Sequence, residues 1–117
     1  MLLDYKNEIK LIGFQHAKKY DRTLGTKCGN LQFQAPEIHL GYKYSGQMCD
    51  VWALGVTLYT MLAGYLPFEA KSDAKLIKRV INGEFVLPKS WSHEAKDLLK
   101  RMLQIDVRKR IDLEQIR

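Results

Sequence analysis

The sequence predicts a mainly α domain, with helices around one buried central helix and a small β-ribbon at the N-terminus. Three observations carry this. Residues 47–63 are apolar in nearly every direction around a helical axis, so that stretch must be surrounded by protein. Two later stretches repeat apolar residues at helical spacing between cap residues, and only residues 1–12 alternate as strands do. At 117 residues, 46% apolar and 27% charged, the chain has the size and composition of one globular domain with one core. It shows no internal repeat, low-complexity tract or second domain.

The elements follow in order. Residues 8–12 alternate polar and apolar as a half-buried strand does, and residues 1–4 are placed to pair with them as the other arm of a hairpin. From Gly13 to Leu31 no periodicity is sustained; Gly25 and Gly29 punctuate a stretch kept polar by Lys18, Lys19, Thr23, Thr26 and Lys27, which predicts a long exposed loop. The central helix is expected over 47–63, with Ser45 as N-cap and Gly64 at its end. Pro67 and Phe68 turn the chain. Ser72 then caps a helix whose stripe is Leu76, Ile77, Val80 and Ile81 and which Gly83 stops. A fourth helix begins at Ser92, buries Ala95, Leu98, Leu99, Met102 and Leu103, and is expected to end near Asp106. Asp112 with Gln115 three residues on has the form of a capping box opening a last helix.

Several function classes are disfavoured by composition. The net charge of +6 is spread over separate elements, through Lys75, Lys78, Arg79, Lys96, Lys100, Arg101, Arg108, Lys109 and Arg110. Few aromatics interleave with these charges, so solvated helix faces are expected rather than a nucleic-acid site, and acidic partners stay open. Residues 51–64 are too short to cross a bilayer, and residues 1–20 lack the apolar region of a secretory signal. An intracellular protein, cytoplasmic or nuclear, without membrane contact is expected. Cys28 and Cys49 sit in unlike surroundings, a glycine-flanked loop and an apolar helix, and signal neither a disulfide framework nor a metal knuckle.

Three motifs stand in a telling order: Leu11-Ile12-Gly13-Phe14-Gln15, Ala35-Pro36-Glu37 and Asp50-Val51-Trp52-Ala53-Leu54-Gly55. Gly64-Tyr65-Leu66-Pro67-Phe68 follows the central helix, and Asp106-Val107-Arg108-Lys109-Arg110 stands near the end. Together they resemble a serine/threonine protein kinase over essentially the whole chain. Thr26-Lys27-Cys28-Gly29 and Leu66-Pro67-Phe68 look most like the calcium/calmodulin-dependent, checkpoint and energy-sensing group. The resemblance implies the C-lobe of a kinase domain, from the strand pair after the catalytic loop to the start of the last helix. Residues 13–37 would be the activation segment and 47–63 the central helix. The N-lobe and catalytic loop, which do the chemistry, have no counterpart in residues 1–117.

The resemblance also assigns roles. In the family's Asp-Phe-Gly motif the aspartate binds Mg²⁺ on the nucleotide phosphates; here Gly13 stands at that place and offers no ligand, and Gln15 replaces the glycine. Asp4 is read as a solvated hairpin residue rather than a substitute ligand. Thr26 takes the place of an activating phosphothreonine, but without the catalytic-loop arginine it is expected to have little to dock on. Asn30 and Phe33 replace a Ser/Thr and a Tyr of the substrate-seating loop, which weakens peptide binding there. Glu37 and Arg110 match an architectural buried ion pair. Trp52 belongs to the same structural set, and Asp50, which in the family caps the missing catalytic loop, is expected to be solvated first of all, ahead of staying protonated or marking where another chain docks. The central helix lacks the helix that normally precedes and covers it, so one face is expected to be exposed.

The functional expectation is a truncated, degenerate kinase-like segment without catalytic, cofactor-binding or metal residues of its own, although ATP and Mg²⁺ serve the parent family. It would act, if at all, by binding a protein partner through the activation segment and the exposed helix face. Two alternatives stay open: part of an ATP-dependent kinase with further sequence upstream, or a degenerate duplicate without function.

Overall fold

Two residues per strand are all that the N-terminal ribbon pairs. In the computed structural model, which describes residues 1–19, 23–27 and 29–117, β1 (Leu2–Leu3) runs antiparallel to β2 (Ile9–Lys10), with Leu2 opposite Lys10 and Leu3 opposite Ile9. Asp4 closes the turn: its Oδ1 accepts from Lys6 N at 2.8 Å and Glu8 N at 2.9 Å. Asn7 adopts the left-handed conformation that a short polar side chain tolerates. The expected half-burial is not found. Ile9 is 65% exposed and Leu2, Leu3, Leu11 and Ile12 also face solvent, because among the described residues no layer packs over so short a ribbon.

The described residues of 13–31 are mostly exposed, but they are not structureless. Phe14–His16 form a 3₁₀ turn, and Leu24 exchanges both backbone hydrogen bonds with Tyr44. Pro36 then opens α1 (Pro36–His39), a short helix absent from the sequence reading. Proline at the first helical position suits it, since φ is already set and the missing N–H would have had no partner.

Next comes α2 (Gly46–Ala63), one residue longer at its start than expected. Ser45 stands at the N-cap without a side-chain capping bond, and Gly64 ends the helix in the left-handed conformation, its N–H on Thr60 O. Val51, Trp52, Val56 and Tyr59 are buried, while Leu54, Met61 and Leu62 are not. The helix is thus covered on most of its circumference and open on the rest. Then α3 (Asp73–Asn82) and α4 (His93–Met102) begin at Ser72 and Ser92, whose hydroxyls accept from Lys75 N and Ala95 N. Each leaves one apolar stripe inward: Leu76 and Val80 on α3, Leu99 and Met102 on α4.

The expected end of the fourth helix near Asp106 is corrected to Met102. Leu103 turns out of helical geometry and is buried, Gln104 O accepts from Arg110 Nε at 2.9 Å, and Asp106 takes both the backbone N–H and the guanidinium of Arg108. These competing bonds stop the helix. Gly55 lets α2 and α4 approach closely there: a Cβ on it would lie 3.0 Å from Met102 Cβ and from Leu103 Cδ2. The last helix, α5 (Leu113–Ile116), carries the expected capping box between Asp112 and Gln115.

At the centre, Trp52 stacks on Phe68 with ring centroids 5.6 Å apart and planes 9° from parallel. Phe85 meets both Phe68 and Tyr59 edge-on, and Trp91 meets Tyr59 in the same way. Tyr59 donates its hydroxyl to Val86 O at 2.6 Å, and burial followed by the bond with Tyr65 pushes its pKa up to about 12. Such edge and offset contacts suit the ring quadrupoles and fix how the chain after α2 folds back. No helix among the described residues is long and apolar enough to cross a membrane.

Candidate functional site

Residues singled out from sequence fall into three places. The first is a buried corner. Proline sets the start of α1 and thereby points Glu37 inward, while the turn after α4 brings Arg110 to meet it. Arg110 Nη1 lies 2.7 Å from Glu37 Oε1 and Nη2 lies 3.0 Å from Oε2, a two-pronged pair with the Arg110 side chain 0% and that of Glu37 8% exposed. Arg110 also donates to Met48 O at 2.9 Å and Gln104 O at 2.9 Å, and its guanidinium sits 5.1 Å from the centre of the Trp52 ring. Three kinds of partner therefore compensate the charge removed from water.

Burial alone would raise the Glu37 carboxyl, but the bonds and charge of Arg110 outweigh it and leave the pKa below the ordinary value. Cys49 donates its thiol to Glu37 Oε1 at 3.4 Å, and burial beside that carboxylate drives the thiol pKa upward, so it is held as an inert thiol. The part played by Cys49 and by the Trp52 ring face was not legible in the sequence. Nothing in the spacing of a helical cysteine and tryptophan marks them as neighbours of a pair whose members are 73 positions apart.

The second place is the entry segment and the groove beside it. Gly13, where the resemblance puts a metal-binding aspartate, has φ 82° and ψ 44° and caps the 3₁₀ turn. That left-handed conformation favours glycine. Leu11, Ile12 and Phe14 on this segment face Ala53, Leu54 and Thr57 of α2 across an open groove of about 760 Å³, mainly apolar, with Asp50 on its wall. Asp50 is exposed and takes no bond from a described residue; the protein mass beside it still raises its carboxyl pKa. Asp4 does not reach toward Gly13 as a ligand. Its carboxylate is held by the hairpin amides and lies 3.5 Å from Lys10 Nζ, and these hydrogen bonds, the Glu8 amide first, lower its pKa.

The third place is the loop between the entry segment and α1. Thr26 is exposed, and Lys18 Nζ donates to its hydroxyl at 2.9 Å, a cation that the sequence reading did not give it. Tyr44 OH donates to Thr26 O at 2.6 Å, beside the backbone bridge between Leu24 and Tyr44. Asn30 turns inward on its own loop, accepting from Gln32 N at 3.1 Å, and Phe33 packs half-buried on the core. Cys28 of this loop lies outside the described residues. The structure thus unites Glu37, Trp52 and Arg110, and keeps Gly13 with Asp50 on one groove and Thr26 apart from both. Among the described residues, no group of three His, Cys, Asp or Glu side chains converges.

The comparisons with known proteins agree over the full length. The family model described as the protein kinase domain matches residues 1–117. Serine/threonine-protein kinase SIK1 of Mus musculus is 41% identical over 119 residues, a match covering 100% of this chain and 15% of that protein. SIK2 of Gallus gallus is 40% identical, with the same coverage of each. The probable serine/threonine-protein kinase MARK-A of Dictyostelium discoideum is 36% identical, across 99% of this chain and 11% of its own length. The chain spans roughly a seventh of the length of such relatives.

Proposed function

The chain belongs to the protein kinase domain family, and from that premise we propose that this segment is a non-catalytic, protein-binding form of the serine/threonine kinase C-lobe. Gly13 at the position of the metal-binding aspartate carries the reading. Mg²⁺ requires oxygen ligands in near-octahedral array. Gly13 supplies none, Gln15 offers only a neutral carbonyl, and the Asp4 carboxylate is already bonded to Lys6 N, Glu8 N and Lys10. The residues at this position do not fit the ion, and no phosphoryl-transfer step is derived through it.

What the segment retains supports a binding role. The Glu37–Arg110 corner holds α1 and the end of α4 in place, and the groove along α2 leaves Leu54 38% exposed opposite Leu11 and Ile12. Its occupant on this reading is a protein helix with an apolar face, which would cover the open side of α2 and bury Leu54. The activation segment, residues 13–37, borders the same groove and would contribute Phe14 and Asn30. Such a partner acts inside the cell, in cytoplasm or nucleus.

A titration with an amphipathic helical peptide tests this. Its binding should raise the melting temperature in a concentration-dependent way by mass action, and Leu54→Asp should abolish the rise. A rise that survives Leu54→Asp would contradict docking in the groove. The alternative is part of an ATP-dependent serine/threonine kinase, favoured by 41% identity to such an enzyme across the whole chain. Transfer of phosphate from Mg·ATP to a peptide by the protein would establish that alternative.

A further inference from the structure

A second cavity, of about 690 Å³, shares no lining residue with the groove along α2. It lies between the loop carrying Gln32 and the start of α3, and it is lined by Gln32, Glu69, Ala70, Lys71, Lys75 and Arg79. Its character is cationic. Three of its six lining residues are cations, brought together from the turn before α3 and the exposed side of α3 itself. Lys71, Lys75 and Arg79 have no carboxylate within ion-pair distance among the described residues, although Glu69 stands on the same wall.

We infer that this cavity is a docking site for an extended acidic peptide segment of a partner protein. Lys75 and Arg79 lie one turn apart on α3, so their Cα positions are about 6 Å apart along the axis. Alternate side chains of an extended peptide repeat every 6.6–7 Å or so, close enough for successive carboxylates to meet successive cations. Arg79 is already oriented on the cavity wall, since its Nη1 donates to Glu69 O at 2.8 Å. A guanidinium held in this way loses less freedom on pairing with a carboxylate. Gln32, half-buried on the facing loop, brings an amide able to bond to a peptide backbone.

Acidic protein is favoured over nucleic acid by the lining. No aromatic ring borders the cavity on which a base could stack, and the Glu69 carboxylate would repel a continuous run of phosphates. The inference does not depend on occupancy of the groove along α2 or on the absence of catalysis.

The test uses a short fluorescein-labelled peptide of alternating Glu and Ser, followed by anisotropy over a salt series. Lys71→Glu with Lys75→Glu, both exposed, is compared with Lys78→Glu with Lys100→Glu, which changes the net charge equally outside the cavity. Circular dichroism verifies that both variants are folded. The expected result is salt-sensitive binding that falls at least about tenfold in the cavity variant and less than about twofold in the control. Glu69→Gln should tighten binding, since it removes the one repulsive group. No peptide binding, equal losses in the two variants, or tighter cavity-dependent binding of a single-stranded oligonucleotide would each overturn the inference.

Discussion

The buried corner and the entry segment are held by opposite means. At the corner, Glu37, Arg110, Trp52 and Cys49 come from α1, α2 and the turn after α4, and every charge is matched out of water. In the entry segment, Asp4 bonds only to residues two to six positions away, Ile9 and Phe14 face solvent, and Gly13 has no side chain. The difference separates two jobs that one fold can perform. Positions that maintain the scaffold satisfy themselves across distant parts of the chain, whereas the segment around Gly13 is held by local bonds alone.

Removing one member of the corner pair should produce the largest effect. Arg110→Ala and Glu37→Ala should each cost about 3–5 kcal/mol in urea unfolding, because the remaining charge stays buried without its partner. The double variant should cost less than the sum of the two. Additive, small losses would erase the contrast with the entry segment.

Packing beside the corner comes next. Gly55→Ala gains helix propensity of roughly 1 kcal/mol, yet its Cβ would press on Met102 Cβ and Leu103 Cδ2 at 3.0 Å, so a net loss of about 1–2 kcal/mol is expected. A more stable variant would show that the contact between α2 and the end of α4 yields easily.

Acid should weaken the fold in a defined order. Burial and the Lys27 charge lower the His39 pKa, so the folded state binds that proton less readily than the unfolded chain. Stability is therefore lost first as pH falls from the ordinary histidine range. The lowered Glu37 pKa acts in the same direction from the ordinary carboxylate range downward, as the pair's contribution disappears. Asp50 works the other way: its raised pKa means that ionisation costs the fold, so Asp50→Asn should melt higher at neutral pH and lose that advantage in acid. Melting curves across this pH range verify both signs.

The smallest effect is expected at the ribbon. Asp4→Ala should speed amide exchange at Lys6 and Glu8 while leaving the global melting temperature in place, since the ribbon packs on nothing that the core needs. A lower global melting temperature would mean that the entry segment is part of the cooperative unit.

Much of the fold was legible because local rules and global packing agree on α2, α3 and the start of α4. Ser72 and Ser92 cap where the apolar stripes begin, and Asp112 and Gln115 form their box from side chains three positions apart. Where distant contacts decide, local reading falls short. The end of α4 depends on Arg110 reaching back to Gln104, and α1 is too short to show periodicity, so it was missed. The exposed strands failed because alternation reports a pattern and not whether another layer covers it. Among site residues, only the family resemblance links Glu37 to Arg110, whereas Lys18 beside Thr26 and the ring face of Trp52 under Arg110 needed the folded chain.

The central claim, that this segment keeps the kinase scaffold without a working metal and nucleotide position, is tested most directly by thermal unfolding of the purified protein with and without Mg·ATP. A single cooperative transition at the same temperature under both conditions is predicted. A rise in melting temperature that grows with Mg·ATP concentration would contradict the claim, whatever residue took the place of the aspartate at Gly13.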